Sequence, residues 1–145
     1  MTDTEKKPKL LVVEDDPVNN KFIVGLLTLY FVIRIEDTAA NAAQTLKDGT
    51  FKPDFILSDY LVPNIEEFNK LLEVIIELNF PVQSVFITSS HYEAIRDANN
   101  HLSQNNAPTQ LSESNFIKKP TNIAMLVRRF QTLATTWASA QTNQS

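Results

Sequence analysis

The sequence contains no cysteine. That absence excludes disulfides, thiolate metal sites and a cysteine nucleophile, and it suits a reducing compartment. No apolar run reaches the ~18 residues that a membrane-spanning helix needs. The opening residues, MTDTEKKPK, are charged and lack the apolar stretch of a secretory leader, so the expected location is the cytoplasm. Basic charge is also in short supply. Thirteen lysines and arginines against 17 aspartates and glutamates leave a net charge of -4, with no basic stripe able to neutralise a row of phosphates. Neither nucleic acid nor membrane is an expected partner.

What remains is the composition of one folded domain. With 145 residues, 43% of them hydrophobic and 21% charged, the chain can bury a core and lacks the signature of disorder. Short continuous apolar runs, the pattern of strands buried on both faces, occur at Leu10–Val13, Phe55–Leu57, Val85–Ile87 and Phe116–Ile117, and Val32-Ile33-Arg34-Ile35 reads as a further strand. Helical spacing follows each run. Asp16-Pro17 opens a helix with Phe22, Ile23, Leu26, Leu27 and Tyr30 on one face, and Thr38 to Lys47 forms a second helix stopped by Gly49. A third runs from Ile65 to Leu78, a weaker one from His91 to about Leu102, and the last from Asn122 to Trp137 with Ile123, Leu126, Phe130, Leu133 and Trp137 inward. Asn99 to Asn115, polar and holding Pro108, reads as an extended loop. Five strands alternating with five helices imply a doubly wound α/β fold with a parallel sheet covered on both faces.

In such sheets the functional crevice lies beyond the carboxyl ends of the strands. Glu14, Asp15 and Asp16 follow the first strand, Asp59 the third, Thr88 and Ser89 the fourth, and Lys118 and Lys119 the fifth. If the first and third strands are neighbours, Glu14, Asp15 and Asp59 crowd together, and like charges that close raise a pKa or recruit a cation. An all-oxygen donor set favours a hard ion such as Mg²⁺. A metal beside an aspartate, a lysine and a hydroxyl is equipment for phosphoryl transfer onto the aspartate. Asp59 stands alone at its strand end and is the candidate nucleophile, while the Glu14–Asp15 pair is suited to holding the metal.

The segments LLVVEDDPVN, FILSDYLVP, VFITSS and FIKKP, in this order and spacing, resemble the receiver domain of two-component response regulators. The resemblance spans about Lys9 to Trp137 and implies a flavodoxin-like receiver fold with residues 9–138 as the domain, 1–8 as a flexible segment and 139–145 as a disordered tail. It implies that Asp59 is the phosphoacceptor and that Glu14, Asp15, Asp59 and the Leu61 carbonyl hold Mg²⁺. Lys119 would pair with the phosphoryl group, Thr88 would be the switch hydroxyl and Phe116 the switch aromatic. The implied partners are a histidine kinase or histidine phosphotransfer protein and a downstream protein that docks on helix four, strand five and helix five. Such a receiver is a signalling protein that catalyses its own phosphorylation and dephosphorylation rather than an enzyme acting on other substrates. With few residues after the last helix, a stand-alone receiver is expected.

The pattern departs from the family at Val62, where methionine is usual, and at Glu67, where glycine is usual and would permit a positive φ; a different path for the loop from Leu61 to Phe68 is expected. Simpler readings stand beside the functional ones. An acidic turn can merely cap a helix, Phe116 next to Ile117 can be core, Arg128-Arg129 can be a solvated pair, and His91 and His101 read as exposed surface. An aspartyl-phosphate phosphatase would want its nucleophile on strand one. An FMN carrier would want a phosphate loop where this chain has three carboxylates. A phosphorylation-independent interaction module with the same fold is the remaining alternative.

Overall fold

The computed structural model describes residues 6–120 and 122–142. Strands β1 (Lys9–Val13), β2 (Val32–Glu36), β3 (Phe55–Asp59), β4 (Val85–Ser89) and β5 (Phe116–Lys118) alternate with helices α1 (Pro17–Leu27), α2 (Ala39–Asp48), α3 (Ile65–Glu77), α4 (Ala94–Gln104) and α5 (Ile123–Thr142). The strands form one parallel sheet in the order β2-β1-β3-β4-β5, so the chain has the doubly wound fold expected from its alternating pattern. The winding reverses between β1 and β3, which makes the carboxyl ends of those two strands the place for a site.

Local chemistry sets the helix ends. Asp16 accepts a hydrogen bond from the Val18 N–H at 2.9 Å and Pro17 occupies the first turn of α1. Thr38 accepts from Asn41 N–H at 3.0 Å to start α2, and Gly49 ends that helix at a left-handed φ of 69°. Asn64 accepts from Glu67 N–H at 2.9 Å to start α3. Glu67 therefore sits in a right-handed first turn, where a carboxylate suits the helix N-terminus and no positive φ is demanded.

Two apolar layers sandwich the sheet. Leu11, Val13, Ile56 and Ile87 face α2, α3 and α4, whereas Leu10, Val12, Leu57 and Phe86 face α1 and α5. On the second face Phe130 is fully buried and meets the rings of Phe31 and Phe86 edge-on at centroid distances of 6.0 and 5.3 Å.

Several boundaries differ from the sequence reading. Asp59, Thr88, Ser89 and Lys118 are the last residues of their strands rather than the residues after them. α4 starts at Ala94 instead of His91, because the buried Ser89 hydroxyl accepts the His91 N–H at 2.9 Å and holds residues 91–93 in a turn. α4 also continues to Gln104, and the rest of the polar stretch is pinned rather than extended. Asn99 exchanges two hydrogen bonds with the Leu111 backbone, and the buried Asn115 amide donates to the Gln83 and Val85 carbonyls. His101 lies not on open surface but 2.8 Å from the Glu73 carboxylate of α3. Phe22 and Ile123, expected inward, are 57% and 44% exposed. α5 runs to Thr142, since Ala138 and Ala140 favour helix; residues 139–142 are thus helical, and 143–145 of the expected tail lie outside the described residues. Of the expected flexible segment, residues 1–5 also lie outside, while Pro8 accepts a backbone hydrogen bond from Val32 at 2.9 Å.

Replacing Phe130 by alanine removes the ring that ties α5 to the sheet and should cost about 3–5 kcal/mol. Urea denaturation followed by circular dichroism measures this; a loss under ~1 kcal/mol would contradict the packing described.

Candidate functional site

The parallel register brings the five strand ends to one level. Asp59 is paired with Thr88, Val13 with Ser58 and Ser89 with Lys118. Glu14, one residue past β1, extends the ladder by donating its N–H to the Glu36 carbonyl at 3.0 Å. The structure thereby gathers side chains far apart in the sequence. One carboxylate oxygen each from Glu14, Asp15 and Asp59 lies within 4.8 Å of the others. The Lys119 ammonium is 3.1 Å from Asp59 Oδ2 and 3.8 Å from Glu14 Oε1. Lys119 is aimed there by its own backbone, whose N–H donates to the Ser89 carbonyl at 2.9 Å.

Burial differs within the cluster. Glu14 is 6% exposed, Asp59 and Lys119 are partly buried, and Asp15 is exposed. Burial, and then the neighbouring Asp59 charge, push the Glu14 carboxyl above its ordinary value; the Lys119 ammonium and the Asp16 N–H oppose this less strongly. Three carboxylates against one ammonium leave an excess of negative charge, and every donor is oxygen. That donor set fits a hard divalent cation that keeps part of its water shell.

Thr88 and Asp59 line a cleft of about 370 Å³ between α1 and α5 together with Glu14 and Lys119, and the rest of its walls are largely apolar. The Leu61 N–H points at Asp59 Oδ1 from 3.5 Å, which places that loop residue beside the carboxylate. Phe116 is half-buried and packs against the core formed with α2, α3 and α4. Lys118 points elsewhere, with its ammonium over the Tyr92 ring at 3.7 Å.

Two residues escaped the sequence reading. Asn20 donates from Nδ2 to the Glu14 carbonyl at 2.9 Å, fixing the acidic turn from the second turn of α1. Its position six residues after Glu14, near the start of a helix, is the signal that could have drawn attention to it. Tyr60 is buried beside Asp59, and its phenol is pushed above the ordinary value by burial and then by Asp97. Nothing in the apolar pattern around Tyr60 marks it.

No family model matches the chain, and no curated protein matches it in sequence. Solved structures do match its fold. The signal receiver domain of an HD domain-containing protein from Pseudomonas fluorescens is 17% identical, with 93% of this chain and 99% of that one covered at a TM-score of 0.66. A chemotaxis response regulator of Vibrio cholerae is 13% identical, with coverage of 87% and 98% and a TM-score of 0.65. The receiver domain of a sensor histidine kinase from Pseudomonas aeruginosa, with a magnesium ion coordinated in its active-site cleft, is 21% identical, with coverage of 87% and 96% and a TM-score of 0.62. The chain has the flavodoxin-like fold of response regulator receiver domains. Among the described residues no helix is long and apolar enough to cross a membrane.

The raised Glu14 carboxyl has a pH signature. Ionising it in the folded state costs stability, so its protonated form contributes stability fully below the unfolded value of 4.5, and that contribution is lost as pH rises through the folded value. In EDTA, Glu14→Gln should therefore melt at a higher temperature than wild type near neutral pH, and this gain should vanish in acid. Thermal melts in which the variant is less stable at neutral pH would contradict the assignment.

Proposed function

We propose that this chain is the receiver of a two-component or phosphorelay system and accepts a phosphoryl group on Asp59 in a Mg²⁺-dependent reaction. The observation that supports this best is the Lys119–Asp59 contact of 3.1 Å. It joins residues 60 positions apart, at the carboxyl edge of the sheet and beside two further carboxylates.

Asp59 is the nucleophile. One of its oxygens attacks phosphorus in line, the bond from phosphorus to the donor's leaving atom breaks, and the leaving group departs with the electron pair. The product is an aspartyl phosphate. Lys119 exchanges its contact with the Asp59 carboxylate for one with the phosphoryl oxygens, and the Thr88 hydroxyl donates to another of them. Glu14, Asp15, Asp59 and the Leu61 carbonyl would hold Mg²⁺, which would offset the charge of the transferring group. Attack by water on the same phosphorus returns the free carboxylate, so the chain catalyses both its phosphorylation and its dephosphorylation.

Signalling follows from a two-state equilibrium biased by that phosphate. Thr88 moves toward the phosphoryl group, Phe116 repacks in the space behind it, and the face made by α4, β5 and α5 changes. The donor is a histidine kinase or histidine phosphotransfer protein in the cytoplasm, and the output is contact with a downstream protein rather than with nucleic acid or membrane.

With Mg²⁺ and acetyl phosphate, intact-mass spectrometry should show one phosphoryl group on the wild type and none on Asp59→Asn. EDTA should abolish the gain, and Lys119→Ala should slow it by about 10²-fold. An unlabelled wild type, or an Asp59→Asn protein that still gains the mass, would overturn the reading.

A further inference from the structure

The cleft that holds Asp59 and Thr88 is also lined by two apolar stripes. α1 contributes Phe22, Ile23 and Leu26, and the start of α5 contributes Ile123, Leu126 and Val127. Spacings of three and four residues put each set on one side of its helix. The space they line measures about 370 Å³, which suits a small organic molecule. Several of these side chains reach solvent as well: Phe22 is 57% exposed, Ile123 44% and Leu26 38%. Single exposed apolar residues are ordinary on a protein surface, but their collection around one cavity marks a surface that takes a ligand.

The polar lining has an excess of one charge. Glu14 and Asp59 stand against Lys119 alone, and Asp15 lies beside them. Glu14 is the most buried of these acids, at 6% exposed, and its carboxylate accepts only a long hydrogen bond, from the Asp16 N–H at 3.3 Å. The Lys119 ammonium is 3.8 Å from Glu14, beyond hydrogen-bond reach, because it is spent on Asp59 at 3.1 Å. A carboxylate this far from water is costly without closer donors.

Cavity and charge together define the occupant. An anionic head would meet like charge, and a neutral one would leave the excess on the carboxylates. A bare cation would satisfy the acids and leave the two apolar stripes uncovered. We propose that the cleft between α1 and α5 binds a small amphiphilic amine, its ammonium on Glu14 and Asp59 and its hydrocarbon body between Phe22, Leu26, Ile123 and Leu126. A molecule seated there covers Asp59 and so restrains phosphorylation; that consequence rests on the reading above, whereas the binding itself does not.

The test is calorimetric titration in EDTA, so that no metal competes. The probes are n-octylamine, n-propylamine, which has the ammonium without the body, and n-octanoate, which has the body with the opposite charge. n-Octylamine should bind saturably and more tightly than either of the others by about tenfold or more. Glu14→Gln and Ile123→Asn should each weaken it by about tenfold, with circular dichroism to check that the fold is kept. No binding of n-octylamine, equal or tighter binding of n-propylamine or n-octanoate, or indifference to either substitution would overturn the proposal. With Mg²⁺ and acetyl phosphate, saturating n-octylamine should slow labelling of the wild type relative to the same concentration of n-propylamine, which consumes the donor equally; equal rates would refute the restraint. Because the titration contains no phosphoryl donor, n-octylamine binding by a chain that fails the acetyl phosphate assay would sink the phosphoacceptor reading alone. Labelling of a chain that binds no n-octylamine would sink this proposal alone.

Discussion

Crowding of like charge at the end of the sheet is the constraint on which the rest depends. Two unit charges ~4 Å apart interact by about 4 kcal/mol at an effective dielectric near 20. Glu14, Asp15 and Asp59 meet within 4.8 Å, and among the described residues the Lys119 ammonium is the one cation paired with them. A fold gains nothing in stability from such an arrangement. The raised carboxyl of Glu14 expresses the cost, since burial and Asp59 act on it in the same direction. The arrangement persists because backbone pairing holds it. β1 and β3 are locked in parallel register by buried leucines, isoleucines and valines, and Asn20 and Asp16 tie down the turn that carries the acids. Stability from the core is thus used to hold like charges together where a cation can relieve them.

The two faces of the sheet contribute differently. On the face toward α2, α3 and α4, packing is close: Phe68, Leu71, Leu72 and Ile75 of α3 are nearly inaccessible, and Ala94, Ala98 and Leu102 of α4 lie wholly inside. α1 on the other face buries only Leu27 fully, and the cleft beside α5 opens directly onto Asp59 and Thr88. In the function proposed, the loosely covered helix next to the acids is the side from which a phosphoryl donor would approach. The opposite face, against which Phe116 packs, would give the proposed repacking something rigid to push against.

Much of this was legible in the residues. Apolar runs marked every strand, and Asp16, Thr38 and Gly49 marked helix ends, because these signals are local. The acids, Thr88 and Lys119 could be assigned to one rim once five strand ends were counted. Long-range partners were not legible. Nothing near His101 announces Glu73, and nothing in the polar run from Asn99 announces that Asn99 and Asn115 spend their amides on backbone groups of distant segments. Periodicity also overstated burial. Phe22 and Ile123 repeat at helical spacing, but spacing names a face and not what covers it. The apolar cleft went unread for the same reason, since Phe22 and Ile123 acquire a shared meaning only where α1 and α5 line one space beside Asp59.

The central claim is that Glu14, Asp15 and Asp59 form one anionic pocket whose charge Lys119 only partly offsets. Calorimetric titration of Mg²⁺ into wild type, Asp15→Asn and Lys119→Met tests it most directly. The account predicts saturable binding by the wild type, affinity lowered about tenfold or more in Asp15→Asn, and affinity raised in Lys119→Met, where the competing ammonium is gone. A wild type that takes up no magnesium, or a Lys119→Met protein that binds it no more tightly than wild type, would contradict it.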